Sequence, residues 1–330
     1  MAVDLLVVEL LGKPFWLWLL FLGIVVGLLA FDLGVLHRRT REVTARESLW
    51  LSALYIAVAL AFGGWLWWSL GSDAGMAYLT GFLVEKSLAL DNVFVISLIF
   101  AYFAVPPALQ HRVLFWGILG VVVLRAVMIG LGAALVSEFA WVLWIFGAFL
   151  VFTGVKMLLV AESMPRIEDN PVLRLVRRLV PVTDRLHGDR FFVRLPHPAR
   201  PERQVLWATP LFLALVLVEV ADLIFAVDSI PAIFAITTDP YIVYTSNIFA
   251  ILGLRALYFA LATMVSRFRY LKYALSLVLI FIGLKIFYNQ LYGKIDPAIS
   301  LGVTLALLAG GVLVSLWRTG RASAGISATS

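Results

Sequence analysis

Two stretches of the 330-residue chain set carboxylates inside otherwise apolar runs: VEKSLALDNVF (84–94) and VEVADLIFAVDSIP (218–231). Each couples an acid to a neutral oxygen ligand, Asp91 to Asn92 and Asp228 to Ser229, a neighbour that a plain salt bridge does not need. Carboxylates, an amide, a hydroxyl and backbone carbonyls form a hard, all-oxygen donor set. Such a set suits Mn²⁺, Mg²⁺ or Ca²⁺ better than Zn²⁺ or Cu⁺. The candidate metal ligands are Glu85, Asp91, Asn92, Asp222, Asp228 and Ser229, with Asp32 and Glu219 as further acids within apolar runs. Several carboxylates around one divalent cation over-compensate its charge, so some must hold protons when the site is empty. Exchange of protons for metal is the natural hypothesis.

Angular spacing sorts these ligands. At 100° per residue, Glu85 and Asn92 share a helix face, as do Asp222 and Ser229, whereas Asp91 and Asp228 lie about 100–120° away. Pro231 cannot donate to the Val227 carbonyl, which frees an oxygen beside Asp228 and favours a kink. Broken helices with freed carbonyls are a transporter device for coordinating cations. The first stretch has Phe94 in the equivalent place, so a break there needs another cause.

These residues must be carried through a bilayer. The chain is 62% hydrophobic with a mean hydropathy of +0.99, well above the 45–50% apolar content common in soluble domains. At about 20 apolar residues per crossing, nine spans are expected, at 15–36, 48–70, 76–104, 112–136, 140–160, 205–235, 244–265, 270–290 and 297–317. The third and sixth are long enough to tilt or break. An all-α integral membrane protein forming one membrane domain over 1–330 follows. The N-terminus lacks a basic n-region with a small-residue cleavage site, so no cleaved leader is expected. There are no cysteines, which excludes disulfides and thiolate metal sites.

The net charge of +6 is a topology signal. If every span crosses, 19 arginines and lysines in the connections fall on one side, and only Lys13 and Lys294 on the other. The positive-inside rule then sets the N-terminus outside and the C-terminus in the cytoplasm of a multi-pass inner-membrane protein. Nucleic-acid binding is not indicated, and the lipid bilayer is the expected partner. The basic cytoplasmic loop at 161–204 holds nine of the arginines. Its segment 171–181 alternates Leu/Val with Arg at helical spacing and reads as a short amphipathic helix on the anionic inner leaflet. His187 and His197 lack metal-ligand spacing and read as solvated.

An internal repeat organises the spans. A shift of 137 places Glu85 on Asp222, Asp91 on Asp228 and Asn92 on Ser229. Shifts of 130 and 129 place Arg125 on Arg255 and Lys156 on Lys285. Each unit, 76–160 and 205–290, reads acid helix, arginine helix, lysine helix. Three spans is an odd number, so the second unit inserts upside down, as in secondary transporters with midplane ion sites. Glu219 has no counterpart, since position 82 is Phe. Five acids and five bases (with Lys86) lie within these spans. Each costs roughly 2.5–3.5 kcal/mol at mid-membrane, so together they would exceed the ~5–15 kcal/mol net stability of a typical fold if they faced lipid. They must face inward. Arg125, Lys156, Arg255 and Lys285 read as structural or gating charges paired with acids.

GFLVEKSLALDNVFVISLIF, ATPLFLALVLVEVADLIFAVDSIPAIFAIT and YTSNIFAILGLRALYF closely resemble the TerC family of integral membrane proteins, over about residues 15–317. The resemblance implies an association with tellurium resistance, a place among LysE-type exporters, and manganese export. It also sets Glu85, Asp91, Asn92, Asp222 and Asp228 on the family's acidic motif positions, with Asp32 in FDLGVLHR as another. Ala221 and Ala89 stand where Thr and Ser are common, which would retune the site. Some members carry a redox-modulator label, for which a cysteine-free chain without a cofactor motif offers no chemistry. The expected function is efflux of a divalent metal, Mn²⁺ first, with no bound cofactor. The alternative is a non-transporting factor that helps assemble or metallate other proteins. An intramembrane aspartyl protease would need GxGD before an aspartate, but Ala226-Val227 precede Asp228, so no enzyme is expected.

Overall fold

The computed structural model describes residues 8–36, 45–159, 170–197, 200–261 and 271–327; some side chains within those ranges, among them Asp32, Asp91 and Arg255, lie outside the description. A two-strand turn, β1 (Glu9–Leu10) and β2 (Lys13–Pro14), leads into α1 (Phe15–Leu36). Then follow α2 (Ala45–Leu70), α3 (Ser72–Tyr102), α4 (Pro107–Glu138), α5 (Val142–Leu159) and the short α6 (Pro171–Leu179). After an antiparallel hairpin of β3 (Phe192–His197) and β4 (Arg200–Ala208) come α7 (Pro210–Phe234), α8 (Pro240–Leu252), α9 (Leu254–Leu261), α10 (Leu271–Leu291) and α11 (Pro297–Ser327).

The helix starts follow from local chemistry. Proline opens α4, α6, α7 and α8 at the position where its missing N–H costs nothing. Asn170 accepts from the Val172 amide at 2.9 Å, and Asp239 from the amides of Tyr241 and Ile242 at 3.0 and 3.4 Å, which caps α6 and α8. Gly71, at φ 96°, makes the turn from α2 to α3 in a backbone region that side chains avoid.

Among the described residues seven stretches are long and apolar enough to cross a membrane: α2, α4, α5, α7, α8 with α9, α10 and the first part of α11. α1 adds a shorter apolar run, Phe15–Phe31. α3 is long enough, at 31 residues, but it carries Glu85, Lys86 and Asp91. Helices thus stand at the nine expected positions, seven of them meeting the length and hydropathy of a membrane span, with the end of the expected 244–265 span outside the described residues. Two ion pairs fit their alternation: Lys13 before α1 meets Asp239 before α8 at 2.9 Å, and Arg112 of α4 meets Asp189 of the basic loop. Trp16, Trp67, Trp68 and Trp141 are exposed at the helix ends on the Lys13 side of that alternation, as an aromatic belt requires.

The short amphipathic helix forms over Pro171–Leu179, with Leu173 buried in an apolar cluster that includes Leu211 and Leu217, while Arg174 and Arg178 are exposed. The β3–β4 hairpin was not expected, and it moves the start of the following span from 205 to Pro210. Its strands carry Arg194 and Pro196, then Arg200, Pro201 and Arg203, which read as loop. A second difference concerns Pro231. α7 runs through it without interruption to Phe234, and the break in the second half comes instead at Gly253, between α8 and α9.

The bundle is built around α8, in which every residue from Tyr241 to Leu252 is buried. α3 packs on α8 and α7, α4 on α7 and α8, and α5 on α10. The α5–α10 contact brings backbone to backbone. A Cβ at Gly154 would lie 2.8 Å from the Ser276 carbonyl and 3.1 Å from the Ile280 amide. A Cβ at Gly283 would lie 2.8 Å from the Gly147 carbonyl and 3.0 Å from the Val151 amide. Small residues permit this approach where lipid supplies no hydrophobic drive between helices.

Candidate functional site

α3 and α7 cross beside α4 and α8, and each contributes its polar face to one buried point. Glu85 and Asn92 stand two turns apart on α3, Asp222 and Ser229 two turns apart on α7, and all four are buried. The angular arithmetic therefore holds for these pairs. Between them lies Arg125 of α4, 1% exposed. Its Nη1 donates to Glu85 Oε1 at 2.5 Å, to Ser229 Oγ at 3.1 Å and to Asn247 Oδ1 of α8 at 2.7 Å. Its Nε and Nη2 donate to the two oxygens of Asp222 at 3.2 and 3.1 Å. The Asn92 amide also reaches Asp222 Oδ1, at 3.4 Å.

The cluster is not closed. Glu85 Oε2, Asn92 Oδ1 and Asn247 Nδ2 are buried without a hydrogen-bond partner among the described residues. Two carboxylates meet one guanidinium, so one negative charge is in excess if both acids are ionised. Beside the cluster is a cavity of about 30 Å³, bounded by Asn92 and Asp222 and otherwise by apolar groups that include Gly117, Val121, Leu254 and Tyr258. That is room for about one water-sized body. Among the described residues no three acids or histidines stand close enough to hold a metal ion by themselves.

Other expected ligands stand apart. Asp228, next to Ser229 but 100° round the helix, is half-buried and faces α5, where Thr153 Oγ1 donates to it at 3.4 Å. Lys156, one turn beyond Thr153, is exposed and within electrostatic reach of Asp228. Because α7 is not broken at Pro231, nothing turns Asp228 inward. Glu219 is half-buried and lies against α4, its carboxylate filling the space over Gly120 and Gly117 that side chains there would take. Its Oε2 has no partner among the described residues. The side chains of Asp32, Asp91 and Arg255 fall outside the described residues. Lys285 is buried between α10 and α11 and donates to Ser300 Oγ at 2.9 Å.

Asn247 was missed from sequence, although three consecutive polar residues, Thr245-Ser246-Asn247, interrupt an apolar span. Thr245 and Ser246 satisfy themselves on carbonyls of their own helix, which leaves Asn247 as the one aimed at Arg125. The environment of Lys86 was also not legible. Its Nζ donates to the Ala250 carbonyl at 3.1 Å and lies against Gly253 at the helix break, 2.5 Å from where a Cβ would stand.

Comparison with known proteins agrees with this architecture. A family described as "Integral membrane protein TerC family" matches residues 70–323. The chain is 47% identical over 305 residues to "Uncharacterized membrane protein STKORF319" of Myxococcus xanthus, covering 92% of this chain and 93% of the relative. It is 47% identical over 301 residues to an "Uncharacterized membrane protein" of Rickettsia bellii, covering 91% and 97%. It is also 47% identical over 315 residues to "Putative membrane-bound redox modulator Alx" of Escherichia coli K12, covering 93% and 95%. No solved structure matches.

Proposed function

The chain belongs to the TerC family of integral membrane proteins, and from that premise we propose that it exports a divalent cation, Mn²⁺, across the bacterial inner membrane in exchange for protons. The observation that carries this reading is the meeting of Glu85 and Asp222, two acids from helices related by the 137-residue shift, at one buried point with Asn92 and Ser229 as neutral oxygen ligands. A charge count agrees. Without the cation, two carboxylates and Arg125 leave one negative charge, which one proton neutralises; with it, the two carboxylates match the divalent charge only if the Arg125 guanidinium moves away from them. The metal and the outward direction rest on the family resemblance.

The inverted-repeat reading is supported by the packing. Exchanging the two units by a shift of 129 turns the contact of Gly154 with Ser276 and Ile280 into that of Gly283 with Gly147 and Val151, at matching distances. The α3–α8 and α4–α7 contacts exchange in the same way. A site on such an axis is suited to opening to either side in turn, which a non-transporting assembly factor does not need.

The test is expression in manganese-sensitive cells lacking their own exporters, with intracellular Mn and survival measured for the native chain, Glu85→Gln and Asp222→Asn. Lowered Mn with the native chain and none of that lowering with the variants is the expected result. Unchanged Mn with the native chain, or variants that export as well as it does, refutes the reading.

A further inference from the structure

Arg125 occupies the place where a cargo cation would go. The oxygens it holds, from two carboxylates, a hydroxyl and an amide, are of the type a hard divalent cation uses. A guanidinium and a metal ion cannot both sit between Glu85 and Asp222. We propose that Arg125 is a tethered internal cation: it neutralises the site while cargo is absent, and cargo must displace it to bind. The assignment rests on the transport reading above and identifies what competes with the metal there.

Three observations support it. A knot built only for stability satisfies its buried oxygens, yet among the described residues Glu85 Oε2 and Asn92 Oδ1 have no hydrogen-bond partner, at residues 1% and 5% exposed. Those oxygens are spare ligands. A cavity of about 30 Å³, otherwise apolar, lies beside Asn92 and Asp222, so room for one small body adjoins two of the site's polar side chains. Arg125 stands one and two turns beyond Val121 and Gly117 of α4, which line that cavity, and its guanidinium holds Asp222, which lines it too. On this geometry cargo and guanidinium exchange places within one buried volume. The consequence is kinetic as well as thermodynamic. Conduction needs binding weak enough for release, and a competitor on the protein supplies that weakness without leaving two carboxylates bare in the membrane.

The experiment is Mn²⁺ binding by calorimetry to the purified full chain, with Arg125→Lys, Arg125→Gln and Asp222→Asn. Lysine keeps the charge but loses the fork that spans both acids, so Arg125→Lys should bind Mn²⁺ about tenfold tighter. Arg125→Gln should bind on the order of a hundredfold tighter, with efflux slowed in both because cargo is no longer expelled. Arg125→Gln strips two buried acids of their cation and is therefore purified with and without Mn²⁺; recovery of its fold by Mn²⁺ is expected. Arg125→Lys that binds equally or more weakly, or an Arg125→Gln fold that Mn²⁺ does not restore, makes Arg125 a structural tie and overturns the proposal alone. If Asp222→Asn binds Mn²⁺ as the native chain does, or the native chain binds none, the transport reading falls and the tethered cation falls with it.

Discussion

Alanine at Gly283 would push a methyl group into the backbone of α5. Its Cβ would stand 2.8 Å from the Gly147 carbonyl oxygen, 2.8 Å from Val151 Cγ2 and 3.0 Å from the Val151 amide nitrogen. Comfortable carbon contacts fall near 3.5–4.0 Å, and two of these three neighbours are main chain that cannot rotate away. α5 and α10 must therefore part by roughly half an ångström or more, at an overpacking cost of about 1–3 kcal/mol. Alanine also gains up to about 1 kcal/mol over glycine in a helix, so a control is needed that carries the gain without the clash. Gly130 of α4 is that control, since nothing lies within 4 Å of its Cβ position. Reversible unfolding in detergent should place Gly283→Ala about 1–3 kcal/mol below Gly130→Ala, because the propensity gain is common to both. Gly154→Ala should fall by a similar amount, since its Cβ would meet Ile280 Cγ1 at 2.7 Å and the Ser276 carbonyl at 2.8 Å. If Gly283→Ala matches Gly130→Ala, the backbone contact is wrong. If Gly283→Ala and Gly154→Ala differ widely, the exchange of the two repeats across this interface is wrong.

Five further substitutions separate competing effects. Asn247→Leu removes the 2.7 Å acceptor of Arg125 Nη1 and should cost about 1.5–3 kcal/mol in the same unfolding measurement, the range for a hydrogen bond to a charged group. Lys13→Ala breaks a partly exposed ion pair with Asp239 and should cost under about 1 kcal/mol, whereas Asp239→Ala also uncaps α8 and should cost about 1 kcal/mol more; equal losses would show that the cap contributes nothing. Ser300→Ala takes away the hydroxyl that receives the buried Lys285 ammonium and should cost about 1–3 kcal/mol, while Lys285→Met, which removes the charge itself, should cost less.

Much of the architecture was legible because a bilayer imposes a coarse rule. Apolar runs of about 20 residues mark spans whatever they pack against, and the arginines of 38–46 and 166–203 mark one side. The β3–β4 hairpin lay beyond that rule, since its register depends on pairing across the chain rather than on local composition. The break at Gly253 was equally hidden. Pro231 is the stronger local breaker, yet α7 absorbs it, and the chain breaks instead at Gly253, beside the Lys86 ammonium of α3.

The site divides in the same way. Seven-residue spacing follows from 3.6 residues per turn, so the sequence alone already determined that Glu85 goes with Asn92 and Asp222 with Ser229. It determined too that Asp228 lies about 100° off that face. What it could not determine is which helices stand opposite those faces, because helical periodicity orients a side chain about its own axis and says nothing of its neighbour. Only the tertiary structure decided that α4 and α8 fill that place, that Arg125 and not a space lies between the two acids, and that Asn247 completes the grip. Those contacts join residues far apart in sequence, and packing alone brings them within hydrogen-bonding reach.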